Sequence, residues 1–174
     1  MITIVVGTNR PKSKSQEVAN YYKNLLDELG EKSQILNLEN LPADFTVSAL
    51  YQNANKNEEF NALKVIMKDS KKYVFIIPEY NGSFPGILKT FIDGLGYPNE
   101  IQHKKAALVG ISDGVQGGAL ALSHIADIFN YLGLNVLAQR VKIPFMKKNF
   151  VDGQITDTLI NQLIHEQAKL LVDF

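Results

Sequence analysis

The sequence predicts an α/β fold in which one parallel sheet of five strands has helices on both faces. Short apolar segments alternate along the chain with longer amphipathic ones in the order βαβαβαβαβα, which is typical of parallel strands joined by crossover helices. Several short segments are apolar at almost every position, as expected of strands that are buried on both faces. The length of 174 residues indicates one domain, residues 1–174, since domains usually contain roughly 100–200 residues.

The predicted strands are five segments rich in β-branched and aromatic residues: Ile2–Val6, Ser33–Leu38, Tyr73–Ile77, Ala106–Ser112 and Leu134–Ile143. The predicted helices are five segments with apolar residues at helical spacing: Ser15–Leu29, Glu58–Ser70, Gly86–Leu95, Gly118–Leu132 and Gln154–Val172. The stretches Glu39–Lys56 and Pro144–Gly153 are predicted to be loops, and the first is long enough to line a site.

Five strands favour the order 2-1-3-4-5 of the flavodoxin-like three-layer sandwich over a six-stranded dinucleotide-binding fold. In such sheets, ligands bind at the carboxyl ends of the strands, next to the point where the strand order reverses. Here that point lies between the first and third strands. The segments that follow the first, third and fourth strands are therefore the candidates for a binding site.

The composition excludes several classes of function. Lys plus Arg and Asp plus Glu number 18 each, so the chain has no net charge that would attract nucleic acid or an anionic membrane. The absence of cysteine excludes disulfides, thiolate metal sites and a cysteine nucleophile. No basic leader precedes the first strand, and the least charged stretch, residues 114–138, is too polar to span a bilayer. We expect a soluble, cytoplasmic protein without nucleic-acid or membrane partners.

The segment after the first strand, Gly7–Ser15, combines hydroxyls and cations with the start of a helix. Free backbone N–H groups and the helix dipole favour an anion there, and Arg10 can hold a phosphate through two hydrogen bonds. The segment lacks the second glycine of a P-loop and the repeated glycines of a dinucleotide loop. It is typical of a terminal-monophosphate site, and a capped helix with a solvated basic turn is the alternative.

Two further segments follow the third and fourth strands. Two prolines and two glycines shape the turn Pro78–Gly86, whose fixed amides could bind the edge of a flat polar ring. A plain strand-to-helix turn is the alternative. Three glycines in Ser112–Gly118 allow either close approach to a ligand or relief of crowding. Together, the three segments predict a site for a flat mononucleotide cofactor.

These residues resemble the NADPH-dependent FMN reductase family, flavodoxin-like proteins that include chromate, quinone and azo-dye reductases. The family pattern G-S-x-R-x-x-S-x-N corresponds to Gly7–Ser15, P-E-Y-N-x-S-x-P-G-x-L-K-N-x-I-D to Pro78–Asp93, and S-x-G-x-x-G-G to Ser112–Gly118. The chain departs from the pattern in having Thr8 for serine, Ser15 for asparagine, and Gly94 where a tryptophan usually follows the aspartate.

The resemblance implies a set of residues that bind FMN. The phosphate would be held by Thr8, Arg10, Ser13 and Ser15, with Gln16 nearby. The edge of the isoalloxazine ring would contact Pro78, Glu79, Tyr80, Asn81, Gly82 and Ser83, while Ser112 and Gly114 would flank the ring.

The resemblance also implies an NAD(P)H-dependent oxidoreductase with NADPH or NADH as donor. The small-molecule acceptors would be FMN, quinones, azo compounds or metal oxyanions, and a non-enzymatic FMN electron carrier of the flavodoxin type is the alternative. Because hydride transfer to a flavin requires no general acid or base, we predict no catalytic residue, and we predict no metal site. His103, His124 and His165 are expected to lie away from the strand ends.

A homodimer or homotetramer is implied by the same resemblance. The helix Gly118–Leu132 is apolar on more than one face, which is typical of a helix that also packs against a second subunit. Lys89 and Asp93, four residues apart on one helix, are expected to form an ion pair or a subunit contact.

Overall fold

A parallel sheet in the order β2-β1-β3-β4-β5 forms the centre of the molecule, with β6 also paired to β4. The computed structural model describes residues 1–174. The strands are β1 (Ile2–Val6), β2 (Ser33–Asn37), β3 (Lys72–Pro78), β4 (Lys105–Ile111), β5 (Asn135–Val136) and β6 (Val141–Ile143). Every pair in this sheet is parallel, so the predicted flavodoxin-like order is confirmed.

The predicted fifth strand is divided into β5 and β6, because a side chain from the end of the chain takes hydrogen bonds that a continuous strand would make. The Nε2 atom of Gln167, which is fully buried, donates to the carbonyl oxygens of Leu108 in β4 (3.0 Å) and of Gln139 between the two short strands (2.8 Å). The prediction of one strand over Leu134–Ile143 is therefore wrong in its centre.

Seven helices cover the sheet: α1 (Lys14–Glu28), α2 (Phe45–Ser48), α3 (Glu58–Asp69), α4 (Gly86–Gly94), α5 (Ala119–Tyr131), α6 (Met146–Asn149) and α7 (Thr158–Asp173). The predicted loop Glu39–Lys56 contains α2 and two 3-10 turns, Leu38–Asn40 and Tyr51–Asn53. The predicted loop Pro144–Gly153 contains α6 and the first strand of a hairpin formed by β7 (Phe150–Val151) and β8 (Gln154–Ile155). The last helix starts four residues later than predicted, where Asp157 accepts a hydrogen bond from the N–H of Ile160 (3.0 Å).

Two apolar cores lie on the two faces of the sheet. Successive strand residues point to opposite faces, so Val5 packs with α3, α4 and α5, while its neighbour Ile4 packs with α1 and α7. Both residues are fully buried, and a side chain of this size stabilises the fold by roughly 1.5–3 kcal/mol on burial. No helix combines the length and the apolar character that a bilayer crossing requires.

The sheet register brings the carboxyl ends of three strands together. Val6 of β1 is paired with Ile76 of β3, and Pro78 of β3 is paired with Ile111 of β4. The three segments singled out by the sequence therefore leave the sheet at adjacent positions.

Candidate functional site

A cavity of about 380 Å³ lies at the carboxyl edge of the sheet. It is lined by four segments: residues 10–15, 78–80, 111–113 and 146–147. The first three follow β1, β3 and β4, as the topology predicts, and the fourth belongs to α6.

The first segment presents hydrogen-bond donors that have no partner. Ser13 caps α1 by accepting from the N–H of Gln16 (3.3 Å), but the backbone N–H groups of residues 12–15 donate to no protein atom. Ser15 is only 1% exposed, lines the cavity, and makes no side-chain hydrogen bond. Unpaired donors at a helix N-terminus form a site for an anion.

Arg10 adds a positive charge to the same wall. Its guanidinium group forms no ion pair and no hydrogen bond with the protein. Lys12, with a φ of +51°, lies beside it, also without an ion pair. The cations of this wall are thus available to a ligand.

The segment after β3 forms a tight turn from Tyr80 to Ser83. The N–H of Tyr80 donates to the carbonyl oxygen of Ser83 (2.7 Å), and the N–H of Ser83 donates to the carbonyl oxygen of Tyr80 (3.0 Å). Asn81 and Gly82 have φ values of +52° and +76°, which identify a type I′ turn and explain the Asn-Gly pair. Because the N–H groups of Asn81 and Gly82 donate to no protein atom, the turn offers two donors to a ligand.

Side chains hold this turn at both ends. The hydroxyl of Tyr80 lies 2.8 Å from Oγ1 of the fully buried Thr8, which links the first and second segments. The hydroxyl of Ser83 lies 3.0 Å from Nδ1 of His124 in α5. The prediction that His124 lies away from the strand ends is therefore wrong, because α5 packs its first two turns against the segment that follows β3.

The glycines after β4 relieve crowding at two of three positions. A Cβ atom on Gly117 would lie 2.7 Å from the nitrogen of Pro144, and one on Gly118 would lie 3.1 Å from the Cα of Gly110. At Gly114, the nearest atom to such a Cβ would be Oγ of Ser112, at 3.5 Å. Gly114 is thus the glycine of this segment that leaves space for a ligand.

The sequence profile of the NADPH-dependent FMN reductase family matches residues 1–147. The chain belongs to that family. An FMN-dependent NADPH-azoreductase from Staphylococcus saprophyticus is 28% identical over 174 residues, covering 98% of this chain and 90% of the relative. A 2-hydroxy-1,4-benzoquinone reductase from a Burkholderia species is 33% identical over 85 residues, which are 47% of this chain and 46% of that relative, less than half of its length.

Among solved structures, FerB, a flavoenzyme NAD(P)H:(acceptor) oxidoreductase from Paracoccus denitrificans, superposes with a TM-score of 0.79. It is 25% identical, and the superposition covers 99% of this chain and 94% of FerB. As a member of the NADPH-dependent FMN reductase family, this chain is an oxidoreductase whose cofactors are FMN and NAD(P)H.

The structure brings most, but not all, of the predicted FMN-binding residues to the cavity. Those that line it are Arg10, Ser13, Ser15, Pro78, Glu79, Tyr80 and Ser112. Thr8 is connected to it through Tyr80, and Asn81, Gly82, Ser83 and Gly114 lie in adjoining turns. Gln16 is not in the lining, because its side-chain amide donates to Asn20 (2.9 Å) and accepts from Asn37 (2.8 Å).

Several other residues line the cavity but are not among the FMN contacts predicted from the sequence: Pro11, Lys12, Lys14, Ile111, Asp113, Met146 and Lys147. The Nζ atom of Lys147 lies 3.9 Å from a carboxylate oxygen of Asp113, so α6 contacts the segment that follows β4. The signal for this residue was the adjacent basic pair Lys147–Lys148 in a segment predicted to be a loop.

A second concave surface lies between α4, the end of α5 and residues 49–55. This groove has a volume of about 1200 Å³ and ten hydrophobic residues among its 19 lining residues. Tyr51, Tyr97 and Tyr131, all lining it, are 81–86% exposed. The loop Glu39–Lys56 therefore borders the groove and contributes nothing to the cavity.

Gly94, which replaces the tryptophan of the family pattern, lies in the wall of this groove. A Cβ atom at this position would collide with the ring of Phe60. The aromatic ring of Phe60 therefore occupies the space that a side chain at position 94 would need.

Proposed function

We propose that this chain binds FMN at the carboxyl edge of its sheet, accepts a hydride from NAD(P)H, and reduces small-molecule acceptors. The acceptor classes are quinones and azo compounds, with free FMN and metal oxyanions as further candidates. Whole-chain similarity to an azoreductase and partial similarity to a benzoquinone reductase support the first two classes.

The unpaired donors of residues 12–15 carry the proposal. Four free N–H groups, the unpaired hydroxyl of Ser15 and the unpaired guanidinium of Arg10 belong to residues that line one wall of the cavity. The Ser15 hydroxyl has no partner in the protein and belongs to a residue that lines the cavity, so a ligand there can bond to it. A terminal phosphate supplies several acceptor oxygens and the negative charge that this wall favours.

The turn Tyr80–Ser83 would hold the ring. Its free amides at Asn81 and Gly82 can donate to carbonyl oxygens on the ring edge, and they stabilise negative charge that develops there on reduction. The hydrogen bond between Thr8 and Tyr80 links the segment that would hold the phosphate, residues 8–15, to the turn that would hold the ring. When bound, FMN supplies the hydride-accepting chemistry, and the protein supplies position and charge stabilisation.

The sequence leaves a non-enzymatic electron carrier of the flavodoxin type as the alternative on the same fold, and the match to the NADPH-dependent FMN reductase family disfavours it. The neutral charge of the chain favours the enzyme, because carriers of that type tend to be strongly acidic. Direct reduction by a pyridine nucleotide separates the two functions, since a carrier requires a partner reductase.

The test is an absorption spectrum of the protein after incubation with FMN and desalting, followed by anaerobic NADPH. We expect a retained flavin spectrum that bleaches within the mixing time of a manual assay. A retained spectrum that neither NADPH nor NADH bleaches would support the carrier. No retained spectrum, together with no quenching of FMN fluorescence on titration, would contradict the proposal.

We also propose that two copies associate through the groove to form a homodimer, which could pair further into a tetramer. The groove carries both signs of charge, with Lys64 and Lys89 near Asp93, Glu100 and Asp127, so a two-fold axis can bring opposite charges together. Exposed aromatic residues around such a groove are typical of interfaces. The predicted pair forms within it, with Nζ of Lys89 at 2.7 Å from Asp93.

Sedimentation velocity tests the assembly. We expect the parent protein to sediment as a dimer or tetramer, and Tyr131→Lys to lower the mass by a factor of two. Leu159→Lys is the matched control, since Leu159 is 63% exposed on α7, outside the groove. A monomeric parent would contradict the proposal.

One domain over residues 1–174 and a cytoplasmic location stay predictions of the sequence.

A further inference from the structure

Phe145 has a strained backbone that the packing of the fold does not explain. Its φ is +48°, in the left-handed region that bulky residues rarely adopt. Its side chain is 45% exposed and belongs to neither apolar core, whereas the next residue, Met146, is only 4% exposed. The left-handed conformation of Phe145 is therefore not explained by burial of its ring in a core.

The conformation of Phe145 is fixed by the segment that follows β4. The N–H of Phe145 donates to the carbonyl oxygen of Gly114 (3.4 Å), and the N–H of Met146 donates to that of Ser112 (3.2 Å). On the other side, the carbonyl oxygen of Phe145 accepts from the N–H groups of Lys148 (2.8 Å) and Asn149 (2.9 Å). These bonds hold a half-exposed aromatic residue next to Gly114, one of the two residues predicted to flank the flavin ring.

The packing around Pro144 makes this position more rigid. Gly117 lies against Pro144 so closely that a side chain there would collide, and Nδ2 of the buried Asn149 donates to the carbonyl oxygen of Pro144 (2.9 Å). Strained residues held from several sides are concentrated at ligand-binding positions, where the surrounding structure maintains the strain. The observed strain therefore points to binding at this place.

We propose that Phe145 is a specificity-determining residue that stacks on the ring of a planar aromatic acceptor, of the quinone class, next to Gly114. The inference rests on the proposed function. Aromatic rings attract one another in offset or edge-to-face arrangements, and a compact, hydrated metal oxyanion gains nothing from such a contact. Val115, the residue after Gly114, is 71% exposed and adds a second exposed apolar residue to this segment. The overall reaction is NAD(P)H + H⁺ + quinone → NAD(P)⁺ + hydroquinone.

Three variants of Phe145 test the inference in the FMN-loaded protein. Phe145→Leu keeps an apolar side chain but removes the ring, Phe145→Tyr keeps the ring, and Phe145→Gly removes both the ring and the strain. For each, we would measure steady-state turnover with 1,4-naphthoquinone and with ferricyanide, FMN binding, and the melting temperature. A titration of the oxidised protein with 1,4-naphthoquinone, without pyridine nucleotide, reports binding separately from activity.

We expect Phe145→Leu to raise the KM and the Kd for naphthoquinone about tenfold, with ferricyanide turnover and FMN binding within twofold of the parent. Phe145→Tyr should match the parent. Phe145→Gly should show the acceptor defect with a melting temperature equal to or above that of the parent, since the strain is relieved.

Unchanged naphthoquinone binding in Phe145→Leu would overturn the inference, and so would a clearly lower melting temperature in Phe145→Gly, which would show a structural role. Failure of the proposed function is distinguishable from both outcomes, because it would appear as absent FMN binding or absent NAD(P)H oxidation in the parent itself.

Discussion

The two edges of the sheet face opposite ends of the helix dipoles. The negative carboxyl ends of the helices lie at the amino edge of the sheet, and their positive amino ends lie at the carboxyl edge. At the amino edge, the helix carboxyl ends are neutralised from within the chain. Nζ of Lys72 donates to the carbonyl oxygens of Leu171 (3.0 Å) and Val172 (2.6 Å) in α7. Lys104 donates to Met67 (2.7 Å) and Lys68 (2.5 Å) in α3, and Lys105 to Phe174.

At the carboxyl edge, the start of α1 is satisfied only in part from within the chain: the Ser13 side chain accepts from the N–H of Gln16 (3.3 Å) and from no other N–H. The N–H groups that begin α1 are free, and Arg10 increases the positive charge there instead of reducing it. Helix termini attract opposite charges at both edges. At the carboxyl edge, side chains cap α3 (Asn57) and α7 (Asp157), but the N–H groups of residues 12–15 before and at the start of α1 have no partner in the protein. The difference supports the proposal that the start of α1 at the carboxyl edge receives an anion from outside.

Some of the side chains that form hydrogen bonds at the amino edge are partly buried. Burial lowers the pKa of Lys104, while Glu100 and Asp69 act in the opposite direction. Burial likewise raises the pKa of Tyr73, whose hydroxyl donates to Met67 at 2.5 Å. Polar groups at the amino edge are thus bonded within the protein, whereas the N–H groups of residues 12–15 at the carboxyl edge are not.

The largest effect that this comparison predicts is on FMN affinity in Arg10→Ala. We expect binding to weaken by about 1.5–3 kcal/mol, roughly a ten- to hundredfold rise in Kd, because a charge-assisted hydrogen bond to phosphate is lost. The melting temperature without FMN should not change, since the guanidinium group has no partner in the protein. Fluorescence titration with FMN measures the first quantity.

Arg140→Ala is the matched control for Arg10. Arg140 is the second arginine of the chain, is exposed, and lies outside the cavity. It should bind FMN as the parent does. Equal affinity in Arg10→Ala and Arg140→Ala would remove the anion-binding role of the carboxyl edge.

A smaller effect is expected at the amino edge in Lys72→Met, and it concerns stability instead of FMN affinity. Loss of two partly exposed hydrogen bonds from a charged donor should reduce stability by about 1–2 kcal/mol and the melting temperature by roughly 3–6 °C. FMN affinity should stay at the parent value. Lys71→Met is the control, because Lys71 is an exposed neighbour whose side chain forms no hydrogen bond. Differential scanning calorimetry should detect no shift in its melting temperature. If both variants melt like the parent, the amino edge is not stabilised in this way.

The smallest effect is expected for His124→Gln. Glutamine can still bond to Ser83, and a neutral hydrogen bond contributes only about 1 kcal/mol, so turnover with NADPH should remain within a few-fold of the parent. The same change at His103 and His165 should leave turnover unchanged. A hundredfold loss in His124→Gln alone would reveal an acid that the hydride-transfer account omits.

The sequence predicts the fold and the general location of the site because both depend on local patterns. Strands β1, β3 and β4 are apolar at nearly every position, so their bounds agree within a residue or two. Once these strands are parallel, the segments after them must meet at one edge. The polar residues of those segments could therefore be predicted from the sequence to share one candidate site.

What the sequence could not predict depends on contacts between distant residues. Gln167 divides the fifth strand from a position 28 residues beyond Gln139. His124 reaches Ser83 across 41 residues of sequence, and α6 contributes Met146 and Lys147 to the cavity from a segment predicted to be a loop. None of these contacts leaves a periodic pattern in the chain.

A titration that compares FMN with riboflavin, which lacks the phosphate, tests the central claim most directly. The free donors of residues 12–15 and Arg10 should make FMN bind at least tenfold more tightly than riboflavin, and Arg10→Ala should close most of that gap. Equal affinities of the parent protein for FMN and riboflavin would contradict the claim that the carboxyl edge receives the phosphate.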